Sequence, residues 1–144
     1  MAGYSGTPLP RKLGIKEGHD VCFSRAPAEF ADALGEPPEE VRVRTRLGRD
    51  HDVIVAFFTR RAELERRLEA LAQALDVDGG LWIAWPKRSS GVATDVTEDT
   101  LRDVALPRGL VDNKVCAIDE TWSGLRLVFR AADRPALRAA RTRS

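Results

Sequence analysis

The sequence predicts an α/β fold: a three-layer sandwich whose sheet is mostly parallel and closes with a C-terminal antiparallel hairpin. Two continuous runs of β-branched and aromatic residues, DVIVAFFT at 52–59 and LWIAW at 81–85, are typical of parallel strands that are buried on both faces. Amphipathic helical segments alternate with these strands along the chain. Such alternation indicates a sheet with helices on both sides, joined by right-handed crossovers.

The first third of the chain predicts a strand, a helix and a second strand. Residues 20–24 form a short apolar run, and Pro27 suits the first turn of a helix that ends at Gly35. The breaker EPPEE follows at 36–40. At 41–45, valine and threonine alternate with arginine, which is typical of a half-exposed strand.

The middle of the chain predicts a buried strand, an amphipathic helix and another buried strand. In the helix, over 60–75, leucines recur at helical spacing on one face, and opposite charges lie four positions apart on the other. Gly79 and Gly80 are predicted to separate this helix from the strand at 81–85.

A third helix and a hairpin complete the pattern. Thr97, followed by two acidic residues, is predicted to cap a helix. KVCAID at 114–119 and LRLVFR at 125–130 are predicted strands, and ETWSG between them has the length of a hairpin connection with Gly124 at its turn. The predicted order of elements is therefore β-α-β-β-α-β-α-β-β.

Length and composition favour one domain. The chain has 144 residues, of which 43% are hydrophobic and 31% charged, as is ordinary for a globular protein. We expect an N-terminal arm at 1–12, a single domain at 13–130 and a basic C-terminal tail at 131–144.

Charge and hydropathy argue against several kinds of partner. The net charge of +1 gives no reason to expect nucleic acid. No apolar run approaches the roughly 18 residues of a membrane span, and the start of the chain lacks the apolar core of a signal peptide, so we expect a cytoplasmic protein. Cys22 and Cys116 have no CxxC or Cys/His spacing, so no metal site is predicted.

Several longer motifs carry a resemblance to known families. The region 52–130 resembles the second half of the Rossmann-like methyltransferase fold, with a strand, a helix, GG before a strand, a helix and a closing hairpin. The whole chain resembles domain-of-unknown-function family 3052, a mostly actinobacterial family of short Rossmann-like proteins. The phrases that carry it are GYSGTPLPRKLGIKEG, GGLWIAWPKRSSG and TDVTEDTLRDVALPRGLVDNKVCAIDETWSGLRLVFR. This resemblance implies a Rossmann-like sandwich and no particular reaction.

The turn after the first strand departs from the methyltransferase pattern. Dinucleotide and S-adenosylmethionine sites place glycines there so that the backbone can approach the ligand closely. Here the turn is SRAP at 24–27, and its side chains are expected to fill the cofactor's space. The second strand ends in VRVRTRLGR, without the acidic residue that binds a ribose. No cofactor is therefore predicted.

Polar side chains collect at the carboxyl ends of the predicted parallel strands, where ligands of open α/β sheets bind. Their cations, hydroxyls and one aromatic face would suit a small anionic ligand. The predicted ligand-binding residues are Arg25, Arg60, Lys87, Arg88, Ser89, Ser90, Thr121, Trp122 and Ser123. KRSSG is not a P-loop, since the glycines that precede the lysine of a P-loop are missing. The same residues are also compatible with a solvated loop.

Three functions remain open at this point. The missing glycines favour a non-enzymatic binding module with an anion-accepting pocket, and no catalytic residue is predicted. One alternative is a regulatory protein that binds another protein, related to transcription or stress. The other is a divergent S-adenosylmethionine-dependent methyltransferase. His19 and His51, which each stand beside an aspartate just before a predicted strand, are interpreted as surface turn residues.

Overall fold

A computed structural model, which describes residues 7–142, contains one six-stranded sheet between helices. The strands are β1 (Asp20–Ser24), β2 (Arg42–Arg44), β3 (His51–Phe57), β4 (Leu75–Pro86), β5 (Leu110–Ala117) and β6 (Trp122–Phe129). The helices are α1 (Leu9–Lys12), α2 (Phe30–Leu34), α3 (Arg61–Ala74), α4 (Glu98–Ala105) and α5 (Arg134–Thr142). The predicted fold class is confirmed.

The order of the strands across the sheet is β2-β1-β3-β4-β6-β5. The first four strands run parallel, while β6 is antiparallel to both β4 and β5. The chain leaves β1 toward β2 on one side and then returns to β3 on the other, so the topological switch point lies between β1 and β3. In open α/β sheets the carboxyl ends of the strands beside such a point form the usual ligand site.

The first helical layer covers one face of the sheet with leucines at helical spacing. In α3 these are Leu64, Leu68 and Leu71, all at most 1% exposed. Helix α4 adds Leu101 and Val104 to the same core. Thr97 caps α4 as predicted, because its side chain accepts a hydrogen bond from the backbone N–H of Thr100.

The second helical layer is thin and is built from the short helices α1 and α2. Trp82 of β4 is fully buried on this face, and its indole Nε1 donates a 2.9 Å hydrogen bond to the carbonyl of Leu13. Leu9 and Pro10 of α1 are also buried. The predicted N-terminal arm therefore contributes to the core from residue 9, while its residues 1–6 lie outside the described part of the chain.

The predicted basic tail contains a docked helix, α5. Arg141 donates hydrogen bonds to the carbonyl oxygens of Leu75 at 2.6 Å and Ala72 at 3.1 Å. Its guanidinium also lies 5.7 Å from the centre of the Phe129 ring. These carbonyls belong to the C-terminal end of α3, where a cation satisfies free acceptors and complements the helix dipole. Residues 143–144 lie outside the described range.

Gly79 and Gly80 lie within β4 instead of preceding it. The backbone of β3 passes so close to Gly79 that a side chain would not fit there. A Cβ atom at Gly79 would lie 2.8 Å from the carbonyl oxygen of Asp52. One at Gly80 would lie 2.4 Å from Nε of Arg126, whose side chain crosses this position. The pair therefore lets neighbouring groups pack against the strand.

A polar cluster fastens the short edge strand β2 to β1. Asp20 accepts hydrogen bonds from Nε of Arg44 at 2.9 Å and from Nδ1 of His51 at 2.7 Å. Nε2 of His51 accepts a 2.8 Å bond from the backbone N–H of Gly48. His51 is fully buried, so its interpretation as a surface residue is wrong. Burial raises the pKa of Asp20, but the bonds from His51 and Arg44 outweigh it and lower the pKa below its ordinary value of 3.8.

None of the helices within residues 7–142 combines the length and the apolar character that crossing a membrane requires.

We predict that Arg141→Gln lowers the free energy of unfolding by about 1.5–3 kcal/mol, because it removes charge-assisted hydrogen bonds to helix-terminal carbonyls. Denaturant titration would measure the loss. The matched control is Arg138→Gln, which breaks only the exposed ion pair with Asp78 and should lower stability by less than about 1 kcal/mol. Equal losses in the two variants would contradict a specific role for Arg141.

We predict that Asp20→Asn lowers the free energy of unfolding at pH 7 by about 1–3 kcal/mol. A carboxylate with a lowered folded-state pKa stabilises fully above its unfolded pKa, and that contribution is lost as pH falls through the folded value. The gap between wild type and variant should therefore close below pH 3.8. Denaturation at pH 7, 5 and 3 tests this, with Asp78→Asn as the exposed control, and a gap that persists at low pH would argue against the ionised carboxylate.

Candidate functional site

A cleft of about 510 Å³ opens at the carboxyl ends of β1 and β2, beside the topological switch point. Its walls are mainly apolar, and they come from the end of β1, from α2 and from β2. The wall residues with the largest apolar side chains are Phe23, Phe30, Leu34 and Val43. Thr45, directly after β2, adds a hydroxyl. The cleft thus occupies the edge of the sheet at which ligands were predicted.

The turn after β1 leaves this cleft open. Arg25 has a φ of 61°, in the left-handed region that normally favours glycine. Ala26 and Pro27 line the cleft wall instead of filling the space. An open volume therefore lies beside these side chains on the β1–β2 side of the edge, and the expectation that the turn fills a cofactor's space stays a prediction.

The side chain of Arg25 reaches across the switch point. Its Nη2 donates a hydrogen bond to Oε2 of Glu63, in the first turn of α3. Its guanidinium lies 5.3 Å from the centre of the Phe58 ring, just after β3. This geometry combines an ion pair with a cation–π contact. The side chains of Arg25 and Glu63 are 46% and 26% exposed, so solvent reaches the pair.

Four aromatic rings form a row along the same edge. The ring centres of Phe23 and Phe30 are 4.9 Å apart, those of Phe30 and Phe57 are 5.0 Å apart, and those of Phe57 and Trp122 are 5.1 Å apart. All three pairs meet edge to face, the arrangement that aromatic rings prefer. Phe30 therefore fills the switch point between β1 and β3 on the side of α2, and the open volume lies toward β2.

Trp122, the predicted aromatic face of the pocket, is buried in the core. It begins β6 and is only 8% exposed, because its ring completes the aromatic row. Its indole Nε1 is the one buried side-chain polar atom among the described residues that lacks a hydrogen-bond partner. Gly124 lies within β6, and the turn is instead held by Asp119, whose Oδ1 accepts 2.8 Å bonds from the backbone N–H groups of Thr121 and Trp122.

The predicted loop after β4 is a compact turn. The backbone N–H of Lys87 donates a 2.7 Å bond to the carbonyl of Thr121. The hydroxyl of Ser90 donates to the carbonyl of Lys87 at 2.6 Å, and Gly91 closes the turn with a φ of 76°. The structure thus brings the predicted segments 87–90 and 121–123 together. Arg88 and Ser89 are exposed, and Ser123 pairs with Trp85 within the sheet.

The loop that follows Gly91 closes over the end of β3. Asp95 accepts a 2.7 Å hydrogen bond from the backbone N–H of Arg61 and so satisfies the start of α3. The backbone N–H of Asp95 donates to the carbonyl of Thr59 at 3.3 Å. Arg60, which directly precedes α3, is exposed.

Of the nine predicted ligand-binding residues, Arg25 is the one that lines the cleft, and a ligand-binding role for the others stays a prediction.

The other cleft residues were not predicted to bind a ligand, and most of them are apolar. Val43 and Thr45 share one parity of the alternating strand, and Phe30 lies on the apolar side of the predicted helix. Both signals indicate a buried face, yet Val43 is 49% exposed because no helix covers it. Among the described residues, no group of three or more His, Cys, Asp or Glu side chains could hold a metal ion.

No family model and no curated protein matches the chain. Solved structures do match. A methyltransferase from Aquifex aeolicus that depends on S-adenosylmethionine is 17% identical, with a TM-score of 0.57 over 81% of this chain and 85% of its own. A TehB-like S-adenosylmethionine-dependent methyltransferase from Corynebacterium glutamicum is 15% identical, with a TM-score of 0.52 over 90% of this chain and 91% of its own.

Aeropyrum pernix fibrillarin, solved with natively bound S-adenosyl-L-methionine, is 15% identical, with a TM-score of 0.52 over 88% of this chain and 70% of its own. At these identities the likeness shows the fold. The resemblance to family 3052 is not tested by these comparisons and stays a prediction.

These likenesses correct the functional interpretation of the sequence. The prediction of a non-enzymatic binding module with an anion-accepting pocket is wrong, because the solved structures of this fold include many methyltransferases that use S-adenosylmethionine.

We predict that Phe30→Ala lowers the free energy of unfolding by about 3–5 kcal/mol, because it leaves a cavity between two rings at the switch point. Phe30→Leu keeps most of the apolar volume and should lose less. Thermal and denaturant unfolding measure both, with Val92→Ala as an exposed control. A loss below about 1 kcal/mol for Phe30→Ala would show that the ring does not support the sheet edge.

Proposed function

We propose that the protein is a divergent S-adenosylmethionine-dependent methyltransferase that holds the adenosine of its cofactor in the β1–β2 cleft. The observation that carries the proposal is the position of this cleft. It lies at the carboxyl ends of β1 and β2, beside the switch point and against a left-handed turn after β1. The methyltransferase likeness of the fold supports the same conclusion.

The cleft residues fit the adenine half of this cofactor. Its volume of about 510 Å³ is in the range of small-molecule sites, which span roughly 300–1,000 Å³. The apolar walls from Phe23, Leu34 and Val43 suit the faces of a purine. Arg25 follows the left-handed backbone path that glycine would supply, so the turn keeps its course beside the cleft.

The ribose would meet a hydroxyl in place of the usual carboxylate. Thr45 lines the cleft directly after β2, where the acidic residue is missing from the sequence. A threonine hydroxyl both donates and accepts hydrogen bonds, so it can pair with a ribose hydroxyl. The neutral contact is weaker than a charged one, and we expect a correspondingly modest affinity.

When bound, S-adenosylmethionine supplies a methyl group on a sulfonium. Among the described residues that line the cleft, none is His, Cys, Asp or Glu, so no side chain there can act as a general base. Arg60, Lys87 and Arg88 lie along the same edge, where they would orient an acceptor that carries an anionic group.

We predict saturable binding of S-adenosylmethionine and S-adenosylhomocysteine to the wild-type protein by isothermal titration calorimetry. Val43→Trp should weaken both by about tenfold or more, because overfilling a site costs about 1–3 kcal/mol.

The matched control is Val115→Trp, which enlarges an equally exposed valine on the opposite edge strand, β5. It should bind as the wild type does. No binding of either ligand to the wild-type protein would overturn the proposed function.

A further inference from the structure

Arg25 occupies a position that stability alone does not explain. Its backbone has a φ of 61°, a conformation that is unfavourable for any residue with a Cβ atom. Its one ion pair, with Glu63, is accessible to solvent on both sides, at 46% and 26% exposure. The exposed ion pair and the cation–π contact with Phe58 together do no more than offset the cost of the left-handed backbone. Glycine would therefore serve the turn about as well if Arg25 had no other role.

The side chain of Arg25 runs from the cleft across the switch point. Arg25 lines the cleft, while its head group rests over Phe58 and bonds to Glu63. A ligand that fills the cleft and extends toward the switch point would meet this cation. Guanidinium groups bind carboxylates through two parallel hydrogen bonds, and the Phe58 ring lies 5.3 Å from this head group.

We infer that Arg25 is a specificity-determining residue that binds the carboxylate of the ligand, and that Glu63 is its internal competitor. This inference rests on the proposed function, because it concerns the amino-acid end of an adenosine thioether bound in the same cleft. In the free protein Glu63 holds the guanidinium. A ligand carboxylate takes over that bond, and Glu63 is released to solvent.

Two ligands isolate the amino-acid end, which carries the carboxylate. S-adenosylhomocysteine and 5′-methylthioadenosine share the adenosine and the neutral thioether, but only the first has the amino-acid end. The wild-type protein should bind S-adenosylhomocysteine more tightly. Replacement by Arg25→Gln should remove that preference, whereas Glu63→Gln should strengthen S-adenosylhomocysteine binding about two- to fivefold, the range that an exposed ion pair represents, and leave 5′-methylthioadenosine unchanged.

The control is Glu65→Gln, which breaks the ion pair between Arg61 and Glu65 on the same helix. It should change neither affinity. Arg25→Gly is a second variant, because glycine accepts the left-handed backbone and preserves the turn. It should also lose the preference, and its melting temperature should not fall below that of the wild type.

The outcomes separate the two proposals. If neither ligand binds the wild-type protein, both the proposed function and this inference fail. If both ligands bind and the preference survives in Arg25→Gln and Arg25→Gly, the methyltransferase site stands and the role of Arg25 is wrong. If Glu63→Gln changes both affinities equally, or neither, the competition is wrong.

Discussion

Every residue of β3 from Val53 to Phe57 is buried, so both faces of the central strand need helical cover. The rest of the structure follows from this requirement. On one face, helices α3 and α4 cover β3 with leucines at regular spacing. On the other, the short α1 and α2 cover it, and the segment near Leu13 accepts a hydrogen bond from Trp82. Since apolar burial is the dominant stabilising term, the N-terminal segment is part of the core.

The thin second layer is also the origin of the cleft. Helix α2 spans only Phe30–Leu34, too short to cover the end of β2, and Val43 is left half exposed. The edge strand β2 has three residues, yet it is anchored because Asp20 binds both Arg44 and the buried His51. A fixed edge strand beside a short helix leaves a stable open volume. The short α2 thus accounts for the open cleft beside β2.

The fold resembles that of methyltransferases, but the sequence departs from their pattern at the turn after β1. A glycine there would allow close approach of a ligand to the backbone. Arg25 keeps the left-handed conformation but adds a cation that spans the edge between Glu63 and Phe58. Phe30 occupies the other side of the switch point. The turn thus follows the left-handed path that a glycine would take, while it places a charged side chain at this edge of the sheet.

The sequence by itself determined the type and the order of the six strands and of helices α2, α3 and α4, because hydrophobic periodicity and the Thr97 cap depend only on neighbours along the chain. It did not predict α1 and α5, which lie in the segments that were expected to be an arm and a tail. It also placed the carboxyl edge correctly, since parallel strands share it. Only the tertiary structure decided that Trp122 is buried, that Val43 lines a cleft and that Arg25 pairs with Glu63. These outcomes depend on contacts between residues far apart in the chain, and local patterns carry no information about which distant side chain fills a given space.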